Sequence, residues 1–348
     1  MGAGNAPRTR LSNMKIRRAF QTIDTHTVGE PTRTIVGGIP VIPGTTMSEK
    51  MLYLRDKADW IRQVLMYEPR GNEVMSGAVL TTPCTPGADI GVIYIEVGGY
   101  LPMCGHDTIG VSTALVESGM VPVSEPHTFI NLDTPAGLVK VKVLVSDGVA
   151  KEVSFTNVPS FVMKKDVVID VPDYGKITLD ISYGGNVYAI LPAEKVGLVV
   201  APENSRKLIA AAAIVKKAVN EQVKICHPEK SYINEVTHVE FYGEPVIKGA
   251  SAKNAVVIPP GAIDRSPCGT GTAAKMALMH ANGQLAIGQE FVHESIIGSI
   301  FRCRILEETT ESGIPAIVPE VTGSAYVTGM HTFFIDPDDP FPQGFQLL

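Results

Sequence analysis

Alternating apolar and polar positions dominate this chain, and they predict many short β-strands with few helices between them. The predicted strands cover residues 20–27, 34–36, 74–80, 90–97, 128–132, 139–145, 150–155, 167–170, 177–182, 187–191, 236–242, 255–258, 291–307, 317–321 and 325–335. Apolar residues that recur every three to four positions predict helices at residues 48–67, with Ser48 as the cap, and at residues 205–219. Because each half holds many short strands and few helices, the pattern predicts an α+β fold rather than a doubly wound parallel sheet.

Two cysteines each stand where a predicted loop passes into a further predicted helix. Cys104 and Cys268 are both followed by Gly at +1, Thr at +4 and a helix-ending Gly at +15. Free N–H groups and the positive end of the helix dipole collect at such a position, which favours a bound anion and a thiolate. A lone cysteine is most often an inert buried residue. The repeated spacing instead predicts two related halves, each of which offers one thiol.

Composition narrows the classes of function. The chain has 348 residues, 45% of them hydrophobic, which is enough for two domains. A net charge of −6 disfavours nucleic acid or an anionic membrane as a partner, and the sequence contains no apolar stretch of spanning length. The five cysteines show neither a disulfide framework nor CxxC metal spacing, so a reducing cytoplasm is expected. Residues 1–13 are polar and are predicted to be a disordered extension, with Met14 as a natural start.

Two segments carry a resemblance to a known family. Residues 103–106 (Met-Cys-Gly-His) and residues 264–272 (Asp-Arg-Ser-Pro-Cys-Gly-Thr-Gly-Thr) resemble the signature segments of the proline racemase family. Residues 24–33, 68–71 and 323–326 match as well, so the likeness runs from about residue 15 to the C-terminus. That family includes proline racemases, 4-hydroxyproline 2-epimerases and trans-3-hydroxyproline dehydratases.

The resemblance implies a fold like that of diaminopimelate epimerase, in which two pseudo-symmetric domains each wrap strands around a central helix. The active site is then expected in the cleft between the domains. The first domain would comprise residues 14–150 with a returning C-terminal part at about 322–348, and the second would comprise residues 151–321. The resemblance also implies no metal, no cofactor such as pyridoxal phosphate, and a homodimer. No glycine fingerprint for a nicotinamide cofactor follows the first strand.

The repeated thiols suit the chemistry of the family. Inverting Cα of an amino acid requires the removal of a proton from one face and the delivery of another to the opposite face. Cys104 and Cys268 are the predicted acid/base pair, one as thiolate and one as thiol. Because a free cysteine has a pKa of about 8.5, modest lowering by a helix N-terminus would make the thiolate available near neutrality.

The substrate's own charges call for further groups. The carbanion's charge must flow into the substrate carboxylate, and backbone N–H groups at Gly105, His106, Gly269 and Thr270 are the predicted donors. Asp264 is the predicted partner of the cationic ring nitrogen, although a role in capping the turn that follows it is the alternative. The alternative role for His106 is that its side chain orients the first thiol.

Substrate choice depends on three predicted pocket positions, Ser76, His238 and Ile258. Proline racemases resembling this chain line the ring pocket with apolar or aromatic residues, whereas Ser76 and His238 are polar. A site built to bind a ring hydroxyl rejects the analogue that lacks it. The sequence therefore predicts an epimerase that converts trans-4-hydroxy-L-proline to cis-4-hydroxy-D-proline, with a proline racemase as the alternative. Typical dehydratases of this family carry Thr at the position of Cys268, which argues against that branch.

Other classes of function stay open but fit the residues less well. A non-catalytic amino-acid binding module would not need both thiols, and a thiol redox protein would be expected to show CxxC spacing. A cysteine hydrolase with His106 as its base would leave the second matched cysteine unexplained.

Overall fold

The computed structural model describes residues 18–347, so the predicted extension at residues 1–13 lies outside the described residues. The described residues form five α-helices, α1 (Met47–Lys57), α2 (Trp60–Met66), α3 (Gly105–Glu117), α4 (Ser205–Gln222) and α5 (Gly269–Ala281). They also form eighteen strands, β1 (Arg18–Thr27), β2 (Glu30–Gly37), β3 (Ser76–Thr81), β4 (Ile90–Glu96), β5 (Gly99–Leu101), β6 (His127–Thr134), β7 (Gly137–Ser146), β8 (Val149–Thr156), β9 (Phe161–Val171), β10 (Gly175–Tyr183), β11 (Val187–Pro192), β12 (His238–Gly243), β13 (Ala252–Ile258), β14 (Ala262–Ile263), β15 (Glu290–Glu294), β16 (Ile300–Glu311), β17 (Ile314–Gly323) and β18 (Ala325–Ile335).

The order of pairing in β10–β17 repeats the order in β1–β8. In the first set, β1 and β2 are antiparallel, β2 and β3 parallel, β3 and β4 antiparallel, and β4 and β6 parallel. In the second set, β10 to β13 and β15 repeat each of these relations in the same sequence. Helices α3 and α5 occupy equivalent places, after β5 and after β14. The chain is therefore an α+β protein with two pseudo-symmetric halves.

Each half is wrapped around one central helix. Strands β1, β2, β8 and β18 pack on α3, whereas β9, β10, β11 and β17 pack on α5. Every residue from Gly105 to Val116 of α3 is buried, because its small side chains let strands approach it from all sides. Helix α5 is buried in the same way from Gly269 to Leu278. A helix that is covered all round is the expected centre of such an arrangement.

The last strand returns to the beginning of the chain. Strand β18 pairs antiparallel with β1, from Arg18 opposite Ile335 to Thr27 opposite Ala325, just as β9 pairs with β10 in the second half. Strands β8 and β17 pair with each other and join the two halves. The predicted domain limits, 14–150 with about 322–348 and 151–321, remain predictions. Among residues 18–347, no helix has the length and apolar character needed to cross a membrane.

The predicted helix at residues 48–67 is wrong in two respects. Ala58 leaves helical geometry, with φ −142°, and separates α1 from α2. The cap is Thr46, whose hydroxyl accepts from the N–H of Glu49 at 3.1 Å, and not Ser48. Beyond the break, Arg62 of α2 donates to the carbonyl of Val97 at 2.7 Å, which ties α2 to the turn after β4.

The predicted strand at residues 291–307 is also two strands, β15 and β16. Between them the chain turns at Ser295, whose N–H donates to the carbonyl of Ser299 at 2.8 Å and whose hydroxyl bonds that of Ser299 at 2.7 Å. The interruption is a hydrogen-bonded hairpin turn, which continuous β-branched and aromatic residues on either side had obscured.

Two of the segments that carry the family resemblance hold the scaffold together. Arg33 is buried and pairs with Asp24 at 2.8 Å, and it also donates to the carbonyls of Leu65 and Arg70 at 2.6 Å. Arg70 in turn donates to the carbonyl of Pro342 near the C-terminus at 2.8 Å. These arginines bind carbonyl groups that no strand or helix satisfies, which explains why residues 24–33 and 68–71 include them.

Candidate active site

The two central helices begin against each other. A Cβ atom placed on Gly105 would lie 2.6 Å from the Cα of Gly269, and one placed on Gly269 would lie 2.7 Å from the Cα of Gly105. Only glycine permits this approach. Cys104 and Cys268 are the N-cap residues immediately before these glycines, and their exposed fractions are 4% and 6%. The structure therefore brings the two predicted thiols to one closed site between the halves.

The backbone of Cys268 is strained, whereas that of Cys104 is not. Cys268 has φ +61° and ψ 102°, a region that side chains other than glycine rarely adopt. The preceding carbonyl, that of Pro267, accepts from Asn254 Nδ2 at 2.8 Å and from the hydroxyl of Thr272 at 3.1 Å. Because both donors fix this peptide group, they hold the second thiol in its unfavourable conformation, as is common at functional sites.

His106 lies at the centre of a cluster of charged groups. Its Nδ1 is 3.4 Å from the sulfur of Cys104 and 3.6 Å from Oδ2 of Asp264, and its Nε2 is 3.3 Å from Oδ1 of Asp107. Burial opposes a charge on the ring, but the sulfur of Cys104 and the carboxylates of Asp107 and Asp264 outweigh burial and raise the pKa of His106 well above its ordinary value. The carboxylates of Asp107 and Asp264 favour an imidazolium between them, and the predicted role of His106 in orienting Cys104 stays a prediction.

Asp107 was not among the predicted site residues. Burial raises its pKa, but His106 and hydrogen bonds from Ser76 and Thr32 outweigh burial, so the pKa of Asp107 is lowered. The two hydroxyl groups donate to its carboxylate at 2.7 Å and 2.8 Å. The hydroxyl of Ser76 therefore donates its hydrogen to Asp107. The predicted contact of Ser76 with a ring hydroxyl stays a prediction. The signal in the sequence was an acidic residue in the first turn of an otherwise small and apolar helix.

The structure contradicts the expected lowering of the thiol pKa. Burial, and next the charge of Asp107, raise the pKa of Cys104 to about 12, although His106 opposes the rise. Burial and then Asp264 raise the pKa of Cys268 well above its ordinary value. Desolvation of a thiolate is larger here than the favourable interaction with a helix N-terminus. Both thiols are consequently protonated at neutral pH in the closed site without substrate.

The groups in direct contact with the second thiol are uncharged. The hydroxyl of Tyr188 lies 3.4 Å from the sulfur of Cys268 and bonds the hydroxyl of Thr270. The ring of His238 stacks on Tyr188 with 5.1 Å between centroids, and its Nδ1 lies 2.7 Å from the hydroxyl of Thr237. Tyr188 was also missed from the sequence, since an aromatic residue in a strand is most often only a core residue.

Asp264 caps the turn that follows it, and its predicted contact with a cationic ring nitrogen stays a prediction. Its Oδ1 accepts from the N–H of Ser266 at 2.8 Å, which caps the turn, while its Oδ2 faces His106.

Within the part of the chain that the structure describes, the backbone N–H groups predicted to bind a carboxylate take part in no hydrogen bond. Those groups belong to Gly105, His106, Gly269 and Thr270. They are free donors at the positive ends of two helices, which is a favourable site for an anion.

Cys104, His106 and Asp107 also present ligand atoms within 4.8 Å of one another, as a metal site would. The protonation states do not suit a cation. An imidazolium has no lone pair for a metal, and the oxygens of Asp107 already accept two hydroxyl hydrogen bonds. The expectation of a site without metal remains a prediction.

Comparisons with known proteins agree with this geometry. The sequence model of a family described as proline racemase matches residues 22–346. A 4-hydroxyproline 2-epimerase from Streptosporangium roseum is 51% identical over 96% of this chain and 100% of its own length. A proline racemase from Clostridioides difficile is 48% identical over the same shares of the two chains, 96% and 100%.

A solved structure shows the same fold. The hydroxyproline epimerase from Agrobacterium vitis, crystallised with bound trans-4-hydroxy-L-proline, superimposes with a TM-score of 0.92. It is 36% identical in sequence, and the match covers 96% of each chain. The similarity thus extends over both halves and includes the site between them.

Proposed function

This chain belongs to the proline racemase family and is an isomerase, and from that premise we propose that it inverts Cα of trans-4-hydroxy-L-proline with Cys104 and Cys268 as its acid and base. The observation that carries the proposal is that two buried thiols cap helix starts that touch through Gly105 and Gly269. Each half supplies one thiol, so a substrate held between the halves has one thiol on each face.

The reaction moves two protons. One cysteine, as thiolate, removes the proton from Cα, and the other, as thiol, delivers a proton to the opposite face. The roles exchange for the reverse direction. Because burial raises the pKa of both thiols, ionisation of one of them requires a compensating positive charge. The cationic ring nitrogen of the substrate supplies such a charge, since an opposite charge nearby lowers the pKa of a thiol.

The charges of the site match those of the substrate. One imidazolium, His106, and two carboxylates, Asp107 and Asp264, together carry one net negative charge. The ring ammonium group balances it, and Oδ2 of Asp264 is the acceptor that faces the site. The substrate carboxylate binds the free N–H groups at the starts of α3 and α5, where the carbanion's developing charge is stabilised.

His238 supports the choice of the hydroxylated ring. The hydroxyl of Thr237 donates to the carbonyl of Val187 at 3.1 Å, so it accepts from Nδ1–H of His238. Burial, and next the charge of Lys216, lower the pKa of His238 to about 3, which makes the ring neutral. Its Nε2 is then an acceptor, which suits the hydroxyl hydrogen of 4-hydroxyproline. The structure from Agrobacterium vitis contains this same imino acid.

We also propose a cytoplasmic homodimer with the domain limits given above. All five cysteines lie within the described residues and are free thiols, which suits a reducing compartment.

Incubation with L-proline, with trans-4-hydroxy-L-proline and with trans-3-hydroxy-L-proline tests the proposal. Chiral chromatography should show cis-4-hydroxy-D-proline as the main product, and in ²H₂O that product should carry deuterium at Cα. A clear preference for L-proline would replace the proposal by proline racemisation. Absence of exchange at Cα with any of the three compounds would refute the two-thiol reaction.

A further inference from the structure

The segment at residues 24–33 contributes a buried carboxyl group that the proposed reaction does not use. Several other polar residues of the segment have clear tasks. Asp24 and Arg33 form an ion pair, Thr27 donates to the carbonyl of His106 at 2.7 Å, and Thr32 donates to Asp107. Glu30 is different, because it contacts the opposite half of the molecule.

Glu30 opens strand β2 in the first half, and its exposed fraction is 0%. Its Oε2 accepts from the backbone N–H of Arg265 at 2.6 Å, a residue 235 positions further along the chain. Within residues 18–347, its Oε1 is buried without a hydrogen-bond partner. Burial of a carboxyl group that makes a single hydrogen bond is costly, which draws attention to this bond across the seam between the two halves.

Arg265 lies between two residues of the site. It follows Asp264, whose carboxylate faces His106, and it precedes Ser266, whose hydroxyl accepts from the N–H of Cys268 at 3.1 Å. We propose that Glu30 is a positioning residue that fastens the loop carrying Asp264 and Cys268 to the first half, and that this bond holds the site closed. The proposal rests on the proposed function, because it assigns closure of the same site to one residue.

The site must open before a substrate can enter, because the thiols are almost inaccessible in the closed form. With exposed fractions of 4% and 6%, Cys104 and Cys268 cannot be reached by an imino acid unless the halves part. The seam at Glu30 is tight, since a Cβ atom on the adjacent Gly29 would lie 2.6 Å from Cδ1 of Ile297. Opening there must break the bond between Glu30 and Arg265.

The groups that face Glu30 agree with a neutral carboxyl group in the closed site. Burial and then the carboxylate of Asp264 raise its pKa well above the ordinary value, while the charges of His106 and Arg265 oppose the rise. A raised pKa in the closed form means that closure is favoured below it and weakens as the pH rises through it. An amide at this position, which is always neutral, should therefore keep the closure.

The test measures the accessibility of the thiols in the full chain, without substrate. Each variant is treated with iodoacetamide at one pH, and the alkylation of Cys104 and Cys268 is followed by mass spectrometry of their peptides. Glu30→Ala removes the acceptor, and Glu30→Asp shortens the side chain by about 1.5 Å so that it no longer reaches Arg265. Both variants should be alkylated about tenfold faster than the wild type at both thiols, because the N–H of Arg265 loses its buried acceptor.

Glu30→Gln keeps a carbonyl oxygen for the same N–H and should restore protection to within about twofold of the wild type. Glu152→Ala is the matched control. It removes another carboxylate, on β8, whose bond to Arg302 of β16 is exposed and 3.5 Å long, so protection should not change. If circular dichroism shows that Glu30→Ala does not fold, the alkylation rate of Glu30→Asp is compared with that of the wild type instead.

The kinetic test uses whichever imino acid the wild type converts. Glu30→Ala should raise KM about tenfold and change kcat less than about threefold, because bound substrate at saturation shifts the equilibrium towards the closed form. Failure of the proposed substrate would leave the alkylation result intact, so the two proposals can fail separately. If Cys104 and Cys268 were protected from alkylation as well in Glu30→Ala and Glu30→Asp as in the wild type, the proposal that Glu30 holds the site closed would be overturned. Alkylation of Glu30→Gln as fast as that of Glu30→Ala would overturn it too, since the bond to Arg265 would then not be the cause.

Discussion

His238→Leu tests the assignment of substrate more directly than any other single change. The side chain is 2% exposed, stacks on Tyr188 at 5.1 Å and bonds Thr237 at 2.7 Å. Leucine fills a similar space but offers no acceptor to a ring hydroxyl. The loss of the stack and of the hydrogen bond removes about 0.5–1.5 and about 1 kcal/mol of stability, which a folded variant should tolerate.

The effect on catalysis should depend on the substrate. Loss of a net hydrogen bond is worth about 1 kcal/mol, and an unpaired buried hydroxyl costs about 1–3 kcal/mol. The kcat/KM for trans-4-hydroxy-L-proline should therefore fall about 5- to 150-fold, while that for L-proline should stay equal or rise. Chiral chromatography of both reactions gives the two ratios.

Two amide variants serve as matched controls for the two ring nitrogens. His238→Asn places its amide near Nδ1 and keeps the bond to Thr237, whereas His238→Gln places its amide near Nε2. If Nε2 accepts the ring hydroxyl, His238→Gln should keep the preference for hydroxyproline, and His238→Asn should lose it as leucine does. Equal losses for both substrates in His238→Leu, or a preserved preference in His238→Asn, would refute the assignment.

Three further outcomes are expected. Replacement of Cys104 or Cys268 by serine should lower turnover by at least about 100-fold, because a hydroxyl is too weak an acid for either role; wild-type turnover in one of these variants would disprove the two-thiol reaction. Exhaustive chelation with EDTA should leave activity unchanged, and loss that a divalent metal restores would show a metal site. Alkylation of the substrate-free thiols should accelerate about tenfold per pH unit up to about pH 9, because burial raises both pKa values and only the thiolate reacts; a plateau near pH 8 would contradict that burial.

The features that the sequence predicts well are those that a few neighbouring residues determine. The Asp147-Gly148 turn connects β7 and β8 as expected, because both residues adopt positive φ, 55° and 71°, that this residue pair tolerates. The two helix starts at Cys104 and Cys268 were predicted for the same reason, since the glycines after each cysteine and at the end of each helix act locally.

The features that the sequence misses depend on contacts between distant segments. The break after α1 leaves Arg62 bonded to the carbonyl of Val97, 35 positions away in the turn between β4 and β5. Asp107 gains its role from hydroxyls 75 and 31 positions earlier, and Glu30 gains its role across 235 positions. Burial of the site reverses the expected direction of the thiol pKa values, because desolvation depends on the whole fold rather than on the helix start alone.

The pseudo-symmetry of the fold gives the difference between Ser76 and His238 a meaning that the sequence did not reveal. These residues open β3 and β12, which are equivalent strands of the two halves. The hydroxyl of Ser76 donates its hydrogen to Asp107, whereas Nε2 of His238 is an acceptor in the proposed protonation state.

Mirror-image prolines would need no such difference between the two walls of the site. A 4-hydroxyl group adds a second stereocentre that does not invert, so a site that binds it needs an acceptor on one side only. The unequal pair Ser76 and His238 supplies that asymmetry, which is why we expect an epimerase rather than a racemase of proline.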